Sequence, residues 1–365
     1  MATMKSAARE RLRRLRQALR AKRAGAALVT DPFDVRYLSG FSGEDSWLLV
    51  GRGRAVLLTD SRYGEQARGE CLGFKIVERR KSLVEALAAE VARRRAARLA
   101  FDPERLTVAL RGRIAKALRG VRLVEAPRIV GDLRLRKDAA EVRAIRRAVS
   151  VAEAAFAAFR RAIRLGMTEA RLAADLDHCL RLAGSEGSAF PTICAVDASA
   201  SMPHARPGGR RLRRGSLLLV DFGARVDGYA CDLTRCLVAG RMAPHVARAY
   251  RAVLAAQGAA IRRCGPGVPL ADVDAAARAV LAAAGLGPMF RHGTGHGLGL
   301  EVHEPPAIGP LARKGRLEPG MVVTVEPGVY LPGRFGIRIE DDVLVTERGR
   351  RVLTGLAKGP EAMRL

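Results

Sequence analysis

Aromatic side chains are scarce: Phe, Trp and Tyr make up 4% of the 365 residues, and Trp occurs once. That leaves few of the stacking platforms on which single-stranded nucleic acids are held. Long apolar runs are missing as well. No stretch of about 18 apolar residues occurs, so no membrane span is expected. Met1 to Arg23 is basic throughout and lacks the apolar centre of a secretory signal, which makes the cytoplasm the expected compartment. Cysteine is limited to Cys71, Cys179, Cys194, Cys231, Cys236 and Cys264. They fall at no zinc or disulfide spacing and read as reduced, mostly buried thiols. Acidic residues are outnumbered 37 to 64 by Lys and Arg, a formal net charge of +27. Such a balance can mark a nucleic-acid binder. Here the arginines are spread over the whole chain and greatly outnumber the lysines. That is the mark of a genome-wide bias, and a nucleic-acid partner is not expected; RNA contact stands as the remote alternative.

The length suits two domains with a large core. Residues 5–22 read as a helix with Leu12, Leu15 and Leu19 on one face. Strand-like pieces at Ala26–Thr30, 48–59, Phe74–Val77, Arg98–Phe101 and Val121–Val124 then alternate with helical patterns at 82–95 and 106–118. The alternation argues an α/β domain with a mixed sheet over residues 1–131. It carries no histidine and no acid cluster, so chemistry is expected in residues 132–365. There, helices are expected at 138–164, after an N-cap at Thr168, and at about 245–263 and 270–284.

Two ribbons stand out in that second part. Residues 217–240 run out and back around Asp227-Gly228, the strongest short-range hairpin signal. Folded about a point between Val226 and Asp227, Asp221 and Asp232 would face each other, with Cβ atoms about 4.5–5.5 Å apart. Residues 321–345 fold similarly about Gly333 and set Glu326 opposite Glu340. Like charges placed that way need a compensating group, and a hard divalent cation is the simplest. Between the ribbons, the Gly-rich run His292-Gly-Thr-Gly-His296-Gly-Leu-Gly-Leu-Glu-Val-His303 holds three of the six histidines. Glycine is common where backbone must approach a ligand closely. Four carboxylates and an imidazole suit two metals about 3.5–4 Å apart.

Those residues and their contexts, Val-Asp221-Phe-Gly-Ala, Cys-Asp232-Leu-Thr-Arg, Gly-His296-Gly-Leu-Gly-Leu, Val-Glu326-Pro-Gly-Val-Tyr and Ile-Arg-Ile-Glu340-Asp, resemble the five metal ligands of the pita-bread metallopeptidases. Within that superfamily the chain resembles the Xaa-Pro peptidases, aminopeptidase P and prolidase. Asp31-Pro-Phe-Asp-Val-Arg-Tyr37 and Leu58-Thr-Asp60-Ser-Arg62-Tyr63 look like a creatinase-type N-terminal domain. The resemblance covers nearly the whole chain. It implies an α/β N-terminal domain with a mixed sheet and an α+β pita-bread catalytic domain. It also implies two divalent ions, Mn2+ first and Co2+ or Zn2+ as alternatives, and a homodimer. Asp221 would chelate one ion, Asp232 and Glu340 would bridge both, and His296 and Glu326 would complete the other. A bridging hydroxide would attack the Xaa-Pro bond of a peptide with proline at its second position, with Glu326 as proton shuttle. His204 and His303 would contact substrate and stabilise the tetrahedral intermediate. Arg338 and His292 match positions beside the ligands or against substrate.

The residues by themselves leave some roles open. His204 also reads as a surface loop residue, Arg338 as an ion-pair partner of Glu340, and His292 as the holder of a turn. His178 and His245 read as structural, and Tyr229 as packing beside the first ribbon. The sequence departs from the family pattern at Cys236, where Thr is usual, and at Asp197 and Ser199, where Gly and Asn are usual. None is a ligand position. Aminopeptidase P is the leading expectation and prolidase its alternative. A metal-free creatinase-like hydrolase would require the acids to be replaced, and they are present.

Overall fold

The structure, a computed structural model, describes residues 2–312 and 314–365. Contacts divide the chain into two compact units, Met1–Arg134 and Leu135–Leu365.

The first unit holds helices α1 (Ala2–Ala21), α2 (Pro32–Ser39), α3 (Gly64–Glu70), α4 (Leu83–Arg93), α5 (Val108–Ala117) and α6 (Gly131–Arg134). Its strands are β1 (Ala26–Val29), β2 (Trp47–Gly51), β3 (Val56–Thr59), β4 (Lys75–Glu78), β5 (Arg98–Phe101) and β6 (Arg122–Glu125). They form one sheet in the order β4-β3-β2-β1-β5-β6. The β1–β2 and β2–β3 pairs are antiparallel and the rest parallel, so the sheet is mixed, as the alternating pattern implies. Leu87 and Val91 of α4 and Ile114 of α5 pack on it with Leu49, Leu58 and Leu99. Leu12, Leu15 and Leu19 of α1 are buried, as their spacing predicts. Helix α2 was not foreseen, although its start is written in the chain: Asp31 caps it by accepting a hydrogen bond from Asp34 N, and Pro32 takes the first position.

The second unit begins with α7 (Ala139–Ala162) and α8 (Glu169–Leu182). A capping box starts α7: Asp138 accepts from the backbone of Ala140 and Glu141, and Glu141 reaches back to Asp138 N. Thr168 caps α8 by accepting from Arg171 N at 3.2 Å. Strands β7 (Ile193–Val196), β8 (Leu217–Phe222), β9 (Arg225–Val226), β10 (Tyr229–Ala230) and β11 (Leu233–Val238) follow. After α9 (Pro244–Arg263) and α10 (Leu270–Ala283) come β12 (Gly295–Gly297), β13 (Glu304–Ile308), β14 (Val322–Val325), β15 (Gly328–Leu331), β16 (Phe335–Arg338), β17 (Asp341–Thr346) and β18 (Gly349–Val352).

The β11-β8-β7 sheet is the divider of this unit. Alternate side chains point to opposite faces. Leu218, Val220, Phe222, Leu233 and Leu237 pack with Leu172, Leu176 and Phe156 of α7 and α8. Leu217, Leu219, Cys236 and Val238 pack with Val253, Ala256 and Val273 of α9 and α10 and with Val323 and Val343 of the second sheet. By the same alternation Asp221, Asp232 and Thr234 lie on this second face. The six cysteines are free, five buried and Cys179 half-buried. No helix among the described residues is long and apolar enough to cross a membrane.

Candidate metal centre

The first ribbon turns at Asp227-Gly228, both in the left-handed region with φ of 51° and 80°, the geometry of a tight hairpin turn. Its register differs from the one expected. Val226 pairs with Tyr229, and the ladder continues through Cys231 N to Ala224 O and Phe222 opposite Leu233. Asp221 therefore stands opposite Thr234, not Asp232. The same register brings Gly223 opposite Asp232. The two aspartates are diagonal neighbours on one face, with Cα atoms about 7–8 Å apart in an ordinary ladder.

The second ribbon keeps the expected register. Gly328 pairs with Arg338 and Leu331 with Phe335 around a turn at 332–334, and Val325 pairs with Asp341 below. Glu326 and Glu340 fall between these pairs. The ribbons are stitched to each other by Glu340 N donating to Thr234 O at 3.3 Å and by Thr234 Oγ1 donating to Glu340 Oε2 at 2.6 Å.

The histidine run enters as β12, between β13 and β14. A Cβ on Gly295 would lie 2.0 Å from Thr324 O, and one on Gly297 would lie 2.1 Å from Pro305 O. Only glycine fits on either side of His296, which explains Gly-His-Gly. Helix α10 fixes the entry of this run. Asp274 Oδ1 accepts from Thr294 N at 3.1 Å and Thr294 Oγ1 at 2.8 Å, and Arg278 donates to the carbonyl of His292. His296 N in turn donates to Thr324 Oγ1 at 3.0 Å.

One donor atom each from Asp232, His296 and Glu340 lies within 4.8 Å of the others. Nε2 of His296 is 3.3 Å from Glu326 Oε1 and 3.7 Å from Asp232 Oδ2. Its Nδ1 lies 3.0 Å from Gly297 O. Donating there leaves Nε2 free to ligate once it gives up its proton, the tautomer of a metal-ligating histidine; without a cation, burial works against the charged ring but Glu326 raises its pKa. Asp221 Oδ2 is held by Arg338 Nη2, while Oδ1 is buried with no hydrogen-bond partner.

Burial pushes the carboxyls of Asp232 and Glu340 well above the usual range, and neighbouring acids push them further. Asp221 is also raised by burial, against the pull of Arg338. Glu326 moves the other way: burial opposes its charge, but the hydrogen bond and field of His296 hold it low. Acids that burial and each other make reluctant to ionise, an orphaned buried oxygen and an aimed imidazole nitrogen form a site that a cation completes. Oxygen donors with one nitrogen suit a hard divalent cation.

The histidines beyond the cluster frame an opening. His303 is exposed, with its ring edge-on to that of His296 at 4.4 Å between centroids. His204 is exposed and close enough to depress the charging of both His292 and His303. Arg338 is buried, and Nε donates to Thr234 Oγ1 at 3.0 Å while Nη1 donates to Tyr330 OH at 2.8 Å. Its ion pair is with Asp221, not with Glu340 as the strand alternation suggested. His292 joins this chain, with Nε2 2.9 Å from Tyr330 OH and Nδ1 2.8 Å from Gly293 O. His245 packs against Phe335 at 5.6 Å, and Tyr229 OH donates to Glu141 Oε1 at 3.0 Å.

Residues 143–347, more than half of the chain, match Metallopeptidase family M24. The chain belongs to that family. As an M24 metallopeptidase it is a hydrolase, and the family implies divalent metals. Residues 11–136 match the Creatinase/Prolidase N-terminal domain, so the architecture is a creatinase-type unit followed by a pita-bread unit. Among relatives of this metallopeptidase, the uncharacterized peptidase YqhT of Bacillus subtilis is 36% identical over 90% of this chain and 92% of its own. Among solved structures, the Xaa-Pro dipeptidase from Bacillus anthracis superposes with a TM-score of 0.94 at 33% identity, covering 98% of this chain and 100% of the other. The X-Pro aminopeptidase from Thermotoga maritima gives 0.89 at 35% identity, covering 94% and 99%.

Proposed function

We propose that the chain hydrolyses the bond before proline at the N-terminus of peptides, as an Xaa-Pro dipeptidase, with two divalent cations held by Asp221, Asp232, His296, Glu326 and Glu340. The observation that carries this is the convergence of Asp232, His296 and Glu340 within 4.8 Å, with a buried oxygen of Asp221 left over. Cations at such a site polarise a carbonyl and lower the pKa of bound water toward neutrality. Mn2+ is the preferred ion on the hardness of the donor set, with Co2+ or Zn2+ as substitutes. Binding and catalysis are assigned to residues 132–365, and the active form to a cytoplasmic homodimer.

The protein's own groups divide the remaining work. The side chain of Glu326 is 17% exposed, so it can accept a proton from water and pass it to the leaving nitrogen. His303 is kept neutral by the desolvation of its ring and by His296 beside it. A neutral imidazole at the rim can donate an N–H to the carbonyl oxygen as charge develops there, and His204 offers a second donor. Arg338 positions Asp221 and Thr234 and does not touch substrate.

The full-length likeness to the Bacillus anthracis dipeptidase favours cleavage of dipeptides over the aminopeptidase P type expected from sequence. The aminopeptidase reading keeps support from the Thermotoga maritima enzyme. Purified protein with Mn2+ should release the first residue from an Xaa-Pro dipeptide and leave the matched Xaa-Pro-Yaa tripeptide intact. Cleavage of the tripeptide alone would turn the reading to aminopeptidase P. Metal-dependent cleavage of neither would reject both.

A further inference from the structure

Two adjacent aspartates follow Glu340, and the fold treats them in opposite ways. Asp341 is surrounded by donors, two of them cations: Arg235 Nη2 donates to Oδ1 at 2.7 Å, Lys358 Nζ pairs with Oδ2, and the neutral Gln257 Nε2 donates to Oδ2 at 2.9 Å. Asp342 is fully buried and has no cationic partner among the described residues. Its Oδ2 accepts a hydrogen bond from the backbone N–H of Asp232 at 3.2 Å. Its Oδ1 is buried with no partner at all. A buried carboxylate without a counter-charge is costly, and one left half-satisfied is a site where a structure expects something more.

The backbone around Asp342 is held firmly. Asp342 N donates to Thr354 Oγ1 at 3.1 Å, and Leu353 N donates to Asp342 O at 2.8 Å. Strand β17 sets Asp342 opposite Thr324, whose hydroxyl accepts from His296 N. Asp342 therefore sits directly behind two of the proposed ligands. Charge makes the same point. Asp221, Asp232, Glu326, Glu340 and Asp342 bring five carboxylates to one region, with two buried guanidiniums beside them, Arg338 on Asp221 and Arg235 on Asp341.

We infer that Asp342 is a positioning residue of the metal centre, which fixes Asp232 through its backbone and places a further carboxylate behind the ligands. This deepens the two-cation reading above and rests on it. Asp342 touches neither substrate nor the reacting atoms.

The test is a calorimetric Mn2+ titration of the metal-stripped full-length protein, wild type beside Asp342→Asn and Asp341→Asn. In Asp342→Asn the amide oxygen would still accept from Asp232 N, so the substitution removes charge and keeps the bond. Two Mn2+ are expected for wild type. In Asp342→Asn the weaker of the two should bind about 10- to 100-fold less tightly, the usual cost of losing a partner behind the ligands. The thermal midpoint of the metal-free variant should hold, because burial already favours the uncharged acid and the amide keeps the bond from Asp232 N. Asp341→Asn should do the reverse, lowering the metal-free midpoint because Arg235 loses its carboxylate. Two Mn2+ bound to Asp342→Asn as tightly as to wild type would overturn the inference alone. So would a metal-free midpoint lowered as in Asp341→Asn, which would mark Asp342 as structural. Wild type binding fewer than two Mn2+ would overturn the two-cation reading and this inference with it.

Discussion

Thr234 shows how much of the site depends on a residue that carries no charge. Its hydroxyl donates to Glu340 and accepts from Arg338, and Arg338 in turn holds Asp221. One oxygen thus ties together acids from both ribbons. Thr234→Val keeps the shape and removes both bonds, leaving a buried Arg338 N–H without an acceptor at a cost of about 1–3 kcal/mol. Unfolding should report a loss of that size, and kcat/KM should fall about tenfold or more, since each 1.4 kcal/mol is a factor of ten. Thr234→Ser should recover most of both. Titration belongs to this scale too. Asp221, Asp232 and Glu340 have raised pKa values without a cation, so their neutral forms are the ones the fold favours. Their contribution to stability is present below the ordinary carboxylate range of about 4 and is lost as pH rises through the raised values. The metal-free protein should therefore lose thermal stability as pH rises from mildly acid toward neutral. Saturating Mn2+ should cancel the loss, and Mn2+ binding should release protons and tighten with rising pH. A metal-free midpoint that climbs over that range would contradict this electrostatic picture.

At the scale of elements, the clearest constraint is the passage of His296 between β13 and β14. A methyl group on Gly297 would meet a main-chain carbonyl at 2.1 Å, and a carbonyl in a ladder cannot move aside cheaply. Gly297→Ala should cost about 1–3 kcal/mol of stability, as overpacking does. It should also displace His296 enough to reduce Mn2+ stoichiometry, which the same titration would read. These elements show what the sequence makes legible. The second ribbon could be registered from the chain alone because a single glycine, Gly333, stands at the centre of its three-residue turn. The first could not, because a one-residue error in locating a turn's centre moves every pairing by two. The capping box at Asp138 and Glu141 and the Pro-started helix after Asp31 carried local signals and were still passed over. Asp274 and Arg278 carried none, since only the fold brings α10 against the histidine run. The same holds for Asp342, whose significance lies in what does not surround it.

Across the whole molecule, the net charge of +27 and the buried acids pull in opposite directions. The basic residues are spread along the chain, while the acids that matter are gathered on one face of the β11-β8-β7 sheet and on the ribbon packed against it. The chain folds so that four carboxylates, from segments up to 119 residues apart in sequence (Asp221 to Glu340), are brought together and disfavour one another's charge unless a cation joins them. Compensation by divalent cations is therefore the central claim. The most direct measurement is Xaa-Pro dipeptide hydrolysis by the metal-stripped protein as Mn2+ is added, with bound metal counted at each step. No hydrolysis is expected without metal, full activity is expected as the second equivalent binds, and both binding and activity should be lost in Asp232→Asn and Glu340→Gln. Full activity in the stripped protein, or unchanged Mn2+ binding in those two variants, would contradict that claim.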